Sequence, residues 1–191
     1  LDEATAVDLE RRLGDGVATV KTVNTKSFTE RPAAPFITST LQQEANRKLR
    51  WSARRTMNTA QRLYEAGWIT YMRTDSTQIA ASALETLRDE IAKTWGKDLL
   101  PAEPRLYKTT SRGAQEAHEA IRPAGERMRS VAECRGEFGA DEAALYELIR
   151  NRSLACQMKD ARGVRVTADT LIEAEGTQAI FRSGGKTYTF Q

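Results

Sequence analysis

The run of residues 71–76, Tyr-Met-Arg-Thr-Asp-Ser, contains the side chains best suited to chemistry on a phosphate. A phenol has a pKa of about 10 in water and is a weak nucleophile near neutral pH unless a cation stabilises the phenolate or the charge on an attacked phosphate. Arg73 could supply that cation, because side chains two residues apart on an extended chain point to the same face. Attack by Tyr71 on a phosphodiester is one interpretation. A buried tyrosine beside a structural Arg73–Asp75 pair is the other, and it is the more common arrangement.

Positive charge is concentrated just ahead of this run. The 191-residue chain has 29 basic and 26 acidic side chains, a net charge of +3. Between Arg47 and Arg73 there are seven basic side chains and one acidic, a net of +6, which leaves −3 for the rest of the chain. A local basic surface suits phosphate binding. The alternative is a solvated helix face whose counter-charges lie elsewhere in the fold.

The composition argues against several other kinds of site. Cys134 and Cys156 are too far apart for a CxxC pair, and His118 is the single histidine, so a zinc site cannot be assembled from these residue types alone. We expect two free thiols in a reducing cytosol. No stretch approaches the roughly 20 apolar residues of a membrane-spanning helix, so we expect no membrane association.

Hydrophobic spacing predicts a run of helices between two β-rich ends. The expected helices are residues 1–13, one starting near Ser39, one from Ser52 to a stop at Gly67, one stopped by Gly96, a short one over 114–122, and one near 140–158. Residues 17–23 and several short segments after Val164 read as strands, residues 26–35 as a linker or crossing strand, 68–72 as a short β-prone run, and Gly184-Gly185 as a hairpin turn. We therefore expect an α+β fold with a helical domain inserted between β segments.

Four motifs resemble, in the same order, the tyrosine-bearing domain of bacterial type IA DNA topoisomerases. They are residues 35–45, 57–67, 69–77 and 117–123, and segments 145–149 and 155–158 resemble the closing helix of that domain. Met72 is similar to bacterial topoisomerase I, whereas topoisomerase III sequences tend to have proline there. The resemblance covers most of residues 35–158 and is looser in the flanking β segments.

The resemblance implies a division of the chain into a catalytic-tyrosine domain, residues 36–159, and two parts of an arch domain, residues 1–35 and 160–191. It implies that Tyr71 attacks a backbone phosphate of single-stranded DNA, which gives a 5′-phosphotyrosyl link and a free 3′-hydroxyl. Religation then needs no ATP, because the bond energy is conserved. Arg73 would contact the scissile phosphate or stabilise its transition-state charge, and His118 would contact that phosphate or its neighbour.

Four further side chains are candidate DNA contacts. Gln61 and Arg62 lie on the helix that leads to Tyr71. Arg122, four residues after His118 on the expected helix 114–122, suits a phosphate contact or a structural pair equally. Asp75 either faces the DNA or has the structural role of holding Arg73 or the turn, and the structural role is favoured.

The family also uses magnesium, bound by a separate acidic domain that nothing in this sequence resembles. We therefore expect no metal site in this chain and magnesium binding by the remaining domains of the same enzyme. We expect the chain to be a fragment that neither cleaves nor relaxes DNA alone, from an enzyme of the bacterial cytoplasm and nucleoid.

Three rival functions follow from the same residues. A non-catalytic single-stranded DNA-binding module would show several exposed aromatics on strands, whereas Trp51, Trp68 and Trp95 lie at helix-associated positions that suit core packing. A tyrosine recombinase has its arginine and histidine motifs before the tyrosine, the reverse of the order of Tyr71 and His118. A purely structural domain leaves the basic cluster unexplained.

Overall fold

The computed structural model describes residues 2–107, 119–174 and 176–189. These residues form helices and an antiparallel sheet, consistent with the expected α+β class. The chain divides into two compact units, one made of residues 1–31 with 160–191 and the other of residues 32–159. We call them the sheet unit and the helical unit. In sequence, the helical unit interrupts the sheet unit.

The sheet unit consists of one helix and three long strands. Helix α1 (Glu3–Leu13) begins after Asp2, whose carboxylate accepts a hydrogen bond from the Thr5 N–H and so caps the helix. The strands pair antiparallel in the order β1-β2-β3, with the following bounds: β1 Val17–Glu30, β2 Ala161–Ala174 and β3 Thr177–Thr189.

One sequence prediction for the sheet unit is wrong, and one open alternative is decided. Strand β1 continues to Glu30, through residues expected to be a linker or a crossing strand, because it pairs with β2 along its whole length, so the strand alternative holds for residues 26–30. Gly184 and Gly185 form no hairpin turn. They lie inside β3, opposite Thr167 and Val166, and Gly176, with φ of +75°, lies between β2 and β3. Cross-strand pairing has outweighed local turn and linker composition here.

The helical unit is built around its last helix. Its helices are α2 (Thr38–Leu49), α3 (Ala53–Glu65), α4 (Ala81–Trp95), α5 (Val131–Glu137) and α6 (Ala140–Ala155), with a 3₁₀ turn at Lys97–Leu99. Helix α6 packs against all four others and buries Leu145, Tyr146 and Ile149 completely. It matches the long helix expected near residues 140–158.

Trp68 occupies the centre of the main core and is 1% exposed. Its ring makes edge-to-face contacts with Tyr146 and Phe138, at centroid distances of 5.1 and 6.1 Å. The Arg129 guanidinium lies 3.9 Å from the ring centroid on the Trp68 face. Trp51 is buried as expected, but Trp95 is 47% exposed, so its assignment to the core is wrong.

The ends of α3 follow the sequence prediction. Ser52 accepts a hydrogen bond from the Arg55 N–H and caps the helix, and Gly67, with φ of +69°, follows its C-terminus. Helix α2 differs, since it begins one residue before Ser39 and its cap position is Ile37, whose N–H donates to the Thr40 hydroxyl.

The helix expected over residues 114–122 is wrong where the structure describes it. Residues 119–122 are not helical, and Ile121 forms a β-bridge with Phe36. Residues 108–118 lie outside the described part. The i, i+4 argument that placed His118 and Arg122 on one helix face therefore fails at Arg122.

Gly67 gives a direct test of how the chain turns toward residue 71. Gly67→Ala should lower the free energy of unfolding by about 1–2 kcal/mol, since a side chain disfavours the left-handed backbone at this position. Gly136→Ala is the matched control. It lies in α5 with open space around a Cβ, so it should be neutral or stabilising. Urea unfolding measures both, and an equal loss in the two variants would contradict the assignment.

Candidate functional site

Residues 69–78 cross the helical unit as an irregular segment held by residues 119–123. Ile69 forms a β-bridge with Pro123. The Thr70 N–H donates to the Arg122 carbonyl (2.9 Å) and the Ala120 N–H donates to the Gln78 carbonyl (2.8 Å). The Thr70 hydroxyl donates to the Ala120 carbonyl (2.7 Å) and accepts from the Arg122 N–H (3.0 Å). The segment is thus fixed near both of its ends.

Exposure alternates along the middle of this segment. Met72, Thr74 and Ser76 are 4%, 8% and 3% exposed, whereas residues 71, 73 and 75 are exposed. The expected β-run at 68–72 is wrong. Of these five residues, all of which the structure describes, only Ile69 forms a β-bridge. The expectation that Tyr71 and Arg73 share one face nevertheless agrees with the structure, which shows that this face is exposed.

Tyr71 is 41% exposed and its ring packs edge-to-face against Tyr64 of α3, with centroids 5.1 Å apart and an interplanar angle of 64°. Such aromatic contacts restrict the ring without engaging the hydroxyl. Within the described residues no hydrogen bond reaches the Tyr71 hydroxyl. Sequence reasoning missed Tyr64 as a site residue. It lies seven residues before Tyr71 in the sequence, but its exposure and its contact with the Tyr71 ring are seen only in the structure.

Arg73 and Asp75 do not pair with each other. Neither makes an ion pair or a side-chain hydrogen bond in the part of the chain that the structure describes. The structural Arg73–Asp75 pair weighed in the sequence analysis is therefore absent there. The Arg73 guanidinium is left exposed, with its donors available to an external anion.

Arg122 has a structural partner. Its Nη2 donates to Glu119 Oε2 (2.5 Å), its Nη1 donates to the Pro123 carbonyl (2.9 Å), and its side chain is 14% exposed. The other Glu119 oxygen accepts from the Ala80 N–H (2.7 Å), just before α4. Of the two roles considered for Arg122, the structure shows the pair.

Gln61 and Arg62 lie on α3 as expected, and both have partners. Gln61 donates to Glu65 Oε1 (2.8 Å) on the exposed surface. Arg62 donates through Nε to Glu142 Oε1 (2.6 Å), and Glu142 is only 7% exposed. The Arg62 side chain remains 55% exposed, so it is anchored at one edge.

His118 lies outside the described residues. Its proximity to Tyr71 therefore stays a prediction. The next two residues, Glu119 and Ala120, belong to the segment that holds residues 70–78.

The positive charge of the basic cluster between Arg47 and Arg73 is partly balanced by acidic side chains from outside that range. Four of its seven members have acidic partners: Arg47 and Lys48 pair with Glu44, Arg55 with Asp141, and Arg62 with Glu142. Arg50, Arg54 and Arg73 have no acidic partner among the described residues. The counter-charge interpretation therefore holds for much of α2 and α3, and Arg73 is an exception to it.

No group of three or more His, Cys, Asp or Glu side chains in the described ranges could hold a metal ion. Glu119 is engaged by Arg122 and by the Ala80 N–H. Burial raises the pKa of the Cys134 and Cys156 thiols to about 11. Searched over those same ranges, no helix is both long and apolar enough to cross a bilayer.

Comparison with known proteins decides the family. The family model for DNA topoisomerase matches residues 1–191. The chain belongs to the DNA topoisomerase family. It is 47% identical to DNA topoisomerase 1 of Mycolicibacterium smegmatis and 48% identical to that of Streptomyces coelicolor, each over 191 residues, which is 100% of this chain and 20% of each relative. The resemblance to bacterial type IA topoisomerases is thus confirmed.

The solved structures agree. Full-length topoisomerase I from Thermotoga maritima matches with a TM-score of 0.70 and 32% sequence identity, over 100% of this chain and 30% of that one. The topoisomerase chain described here spans about a fifth of the length of the curated relatives that it matches.

Glu44 should make the stability of this topoisomerase chain depend on pH. The hydrogen bond from Arg47, with Lys48 nearby, lowers the pKa of Glu44 from 4.5 to about 2. A carboxyl with a lowered folded-state pKa stabilises the fold above its unfolded value and loses that contribution as pH falls. The difference in unfolding free energy between the wild type and Glu44→Gln should therefore be constant above pH 4.5 and shrink toward pH 2. Urea unfolding at each pH measures this difference, and a difference that does not change with pH would contradict the prediction.

Proposed function

We propose that this chain supplies the nucleophile of a type IA DNA topoisomerase that relaxes negative supercoils. The phenolic oxygen of Tyr71 loses its proton and attacks a backbone phosphorus of single-stranded DNA, the bond from phosphorus to the 3′-oxygen breaks, and that oxygen leaves as a 3′-hydroxyl after gaining a proton, so no net proton is released. The observation that carries the proposal is an exposed Tyr71 two residues from an exposed Arg73 that pairs with no acidic side chain among the described residues, in a chain that the DNA topoisomerase family matches along its whole length.

The proposed step exchanges one phosphodiester for another. The DNA strand is held through a 5′-phosphotyrosyl ester while it is open. The 3′-hydroxyl then attacks the same phosphorus and releases the phenol. Because the bond energy is conserved, the reverse step needs no ATP.

Arg73 is proposed to bind the attacked phosphate and to stabilise the charge that develops on it. Arg73 has no acceptor within residues 2–107, 119–174 and 176–189, which supports this role, since a guanidinium already bound to a carboxylate would have to exchange that partner for a phosphate. Preorganised cations aimed at developing charge provide a large share of catalysis in such reactions. His118 is proposed as a second group at this phosphate, on the basis of its motif.

The remaining candidates are proposed to act around this centre. Gln61 and Asp75 are exposed and can face DNA directly. Arg62 and Arg122 already form ion pairs with Glu142 and Glu119, respectively. Their proposed role is to fix local structure through these pairs and to offer the DNA a guanidinium whose positive charge is partly neutralised.

We also propose that the chain works only with the rest of the same enzyme. Among the described residues, no group of His, Cys, Asp or Glu side chains is arranged to hold a magnesium ion. Acidic residues in the remaining domains would bind magnesium. The sheet unit would form part of the arch that carries the helical unit, and the full enzyme would act in the bacterial cytoplasm at the nucleoid.

A non-catalytic single-stranded DNA-binding role is the second candidate. The observation that favours it is the exposed pair of Tyr64 and Tyr71 next to Arg73, because exposed aromatic rings beside cations stack nucleobases. Both roles predict DNA binding, and only the first predicts a covalent bond to Tyr71.

Tyr71→Phe should abolish the covalent adduct in the full-length enzyme that contains this chain, because the variant has no nucleophilic oxygen. A single-stranded oligonucleotide labelled at its 3′ end, incubated with enzyme and magnesium and then denatured, reports the adduct as a shifted band. The 3′ label follows the fragment whose 5′-phosphate is bonded to protein. Oligonucleotide binding should persist in the variant.

Tyr64→Phe is the matched control, since it removes a phenolic oxygen from the contacting ring and keeps the ring contact. It should retain the adduct. Adduct formation by Tyr71→Phe, or its loss in Tyr64→Phe alone, would count against Tyr71 as the nucleophile. DNA binding without any adduct in the wild-type enzyme would favour the second candidate.

Arg73→Ala should slow adduct formation by about 10²–10³-fold at saturating DNA, the usual effect of removing one preorganised charge-stabilising donor. Arg54→Ala, which removes another arginine that has no acidic partner in the described part of the chain, should leave that rate within about twofold. Single-turnover quench experiments give the rate, and fluorescence anisotropy gives the dissociation constant. Equal slowing by both variants would indicate a general loss of charge and not a role specific to Arg73.

A further inference from the structure

Thr38, the first residue of α2, hydrogen-bonds to the backbone on both sides of Arg73. Its hydroxyl oxygen accepts from the Thr74 N–H (2.9 Å) and donates toward the carbonyls of Met72 (2.8 Å) and Thr74 (3.1 Å). Its own N–H donates to the Thr74 carbonyl (3.0 Å). A hydroxyl has one proton and two lone pairs. The Thr38 O–H proton is therefore shared between the Met72 and Thr74 carbonyls, while a lone pair of the hydroxyl oxygen accepts the hydrogen bond from the Thr74 N–H.

These bonds replace a strand partner that the segment does not have. Among the described residues of the 69–78 segment, only Ile69 forms a β-bridge. The Met72 and Thr74 side chains are buried, so the adjoining backbone groups need partners within the protein. Thr38 provides them for the peptide groups immediately before and after Arg73.

Thr38 is itself held by the core of the helical unit. Helix α2 buries Leu41 and Ala45 completely. Just before α2, the Phe36 carbonyl accepts from the Ile121 N–H (2.8 Å). The position of residues 72–74 is therefore fixed relative to packed, rigid structure.

We propose that Thr38 is a positioning residue for Tyr71 and Arg73, an inference that rests on the function proposed above. Thr38 fixes the backbone that carries both side chains and makes no contact with the DNA. The phenolic oxygen and the guanidinium must reach one phosphate together. Near-attack geometry requires reacting atoms about 3–3.5 Å apart, and an error of about 1 Å can slow such a reaction about 100-fold.

The test is Thr38→Val in the full-length enzyme. Valine keeps the branched shape and removes the hydroxyl, so the Thr74 N–H and the Met72 carbonyl lose their partner. The rate of adduct formation with a saturating 3′-labelled oligonucleotide should fall about 10-fold or more, while the dissociation constant stays within about twofold. Thr38→Ala removes the same hydroxyl without adding apolar bulk, and it should slow adduct formation in the same way. It provides the test if the valine variant folds poorly.

Two further variants separate positioning from general loss of structure. Thr38→Ser keeps the hydroxyl and removes only the methyl group, so its rate of adduct formation should stay within about threefold of wild type. Thr56→Val is the matched control. Its hydroxyl is completely buried and donates to the Ser52 carbonyl (3.0 Å), away from residues 71–76, so its loss should lower the melting temperature without slowing the adduct.

Each outcome bears on one proposal. A wild-type rate in both hydroxyl-deleted variants, with the adduct still dependent on Tyr71, would overturn the role of Thr38 and leave the proposed function standing. Equal slowing by Thr56→Val or by Thr38→Ser would also overturn it. Absence of a Tyr71-dependent adduct in the wild-type enzyme would overturn the proposed function itself.

Discussion

The candidate site depends on a backbone segment that must be ordered without a sheet. Buried backbone N–H and C=O groups that find no partner are costly, and a strand would satisfy them with a ladder. Between Thr70 and Gln78, side-chain hydroxyls form hydrogen bonds with these backbone groups. Thr70 bonds to Ala120 and Arg122, Thr38 bonds to Met72 and Thr74, and the Thr74 and Ser76 hydroxyls accept from the N–H groups two residues further on. Because these bonds are made on the buried side, the side chains of residues 71, 73 and 75 are left facing solvent.

The core explains why this segment starts where it does. Helix α3 ends before Gly67, whose left-handed backbone turns the chain so that Trp68 enters the core. There the Trp68 indole N–H donates to Glu137, and the Arg129 guanidinium covers the ring and donates to the Gly67 carbonyl. Trp68 is thus fixed from several sides, only three residues before Tyr71. On the other side of the turn, Tyr64 on the last turn of α3 contacts the Tyr71 ring. One helix end therefore sets both the path of the chain and the packing of the phenol.

Local features could be predicted from the sequence and non-local ones could not. The Ser52 cap and the Gly67 stop of α3 follow from the residues themselves, as does the face shared by Tyr71 and Arg73, whereas the exposure of that face is seen only in the structure. The Arg62–Glu142 pair and the Thr38–Met72 hydrogen bond join residues 80 and 34 positions apart, so no spacing rule reveals them. The Gly184-Gly185 turn failed for the same reason, because pairing with β2 outweighs a local preference. The family motifs supplied the residues proposed to react, but the residues that hold their segment became visible only in the fold.

The charges around α3 show how Arg73 differs from Arg55 and Arg62. Arg55 and Arg62 each reach an acidic side chain on α6, so their charge is largely balanced within the protein. Arg73 has no such balance in the described residues and can direct its field at an external anion. In open water that field is weak, since an effective dielectric constant near 80 reduces an ion pair at 4 Å to about 1 kcal/mol. Tyr71 and Arg73 are both exposed here, so strong stabilisation of a transition state requires that something exclude water from them. The DNA and the rest of the proposed enzyme, closing over this surface, would supply that exclusion, which places the onset of efficient chemistry in the assembled complex.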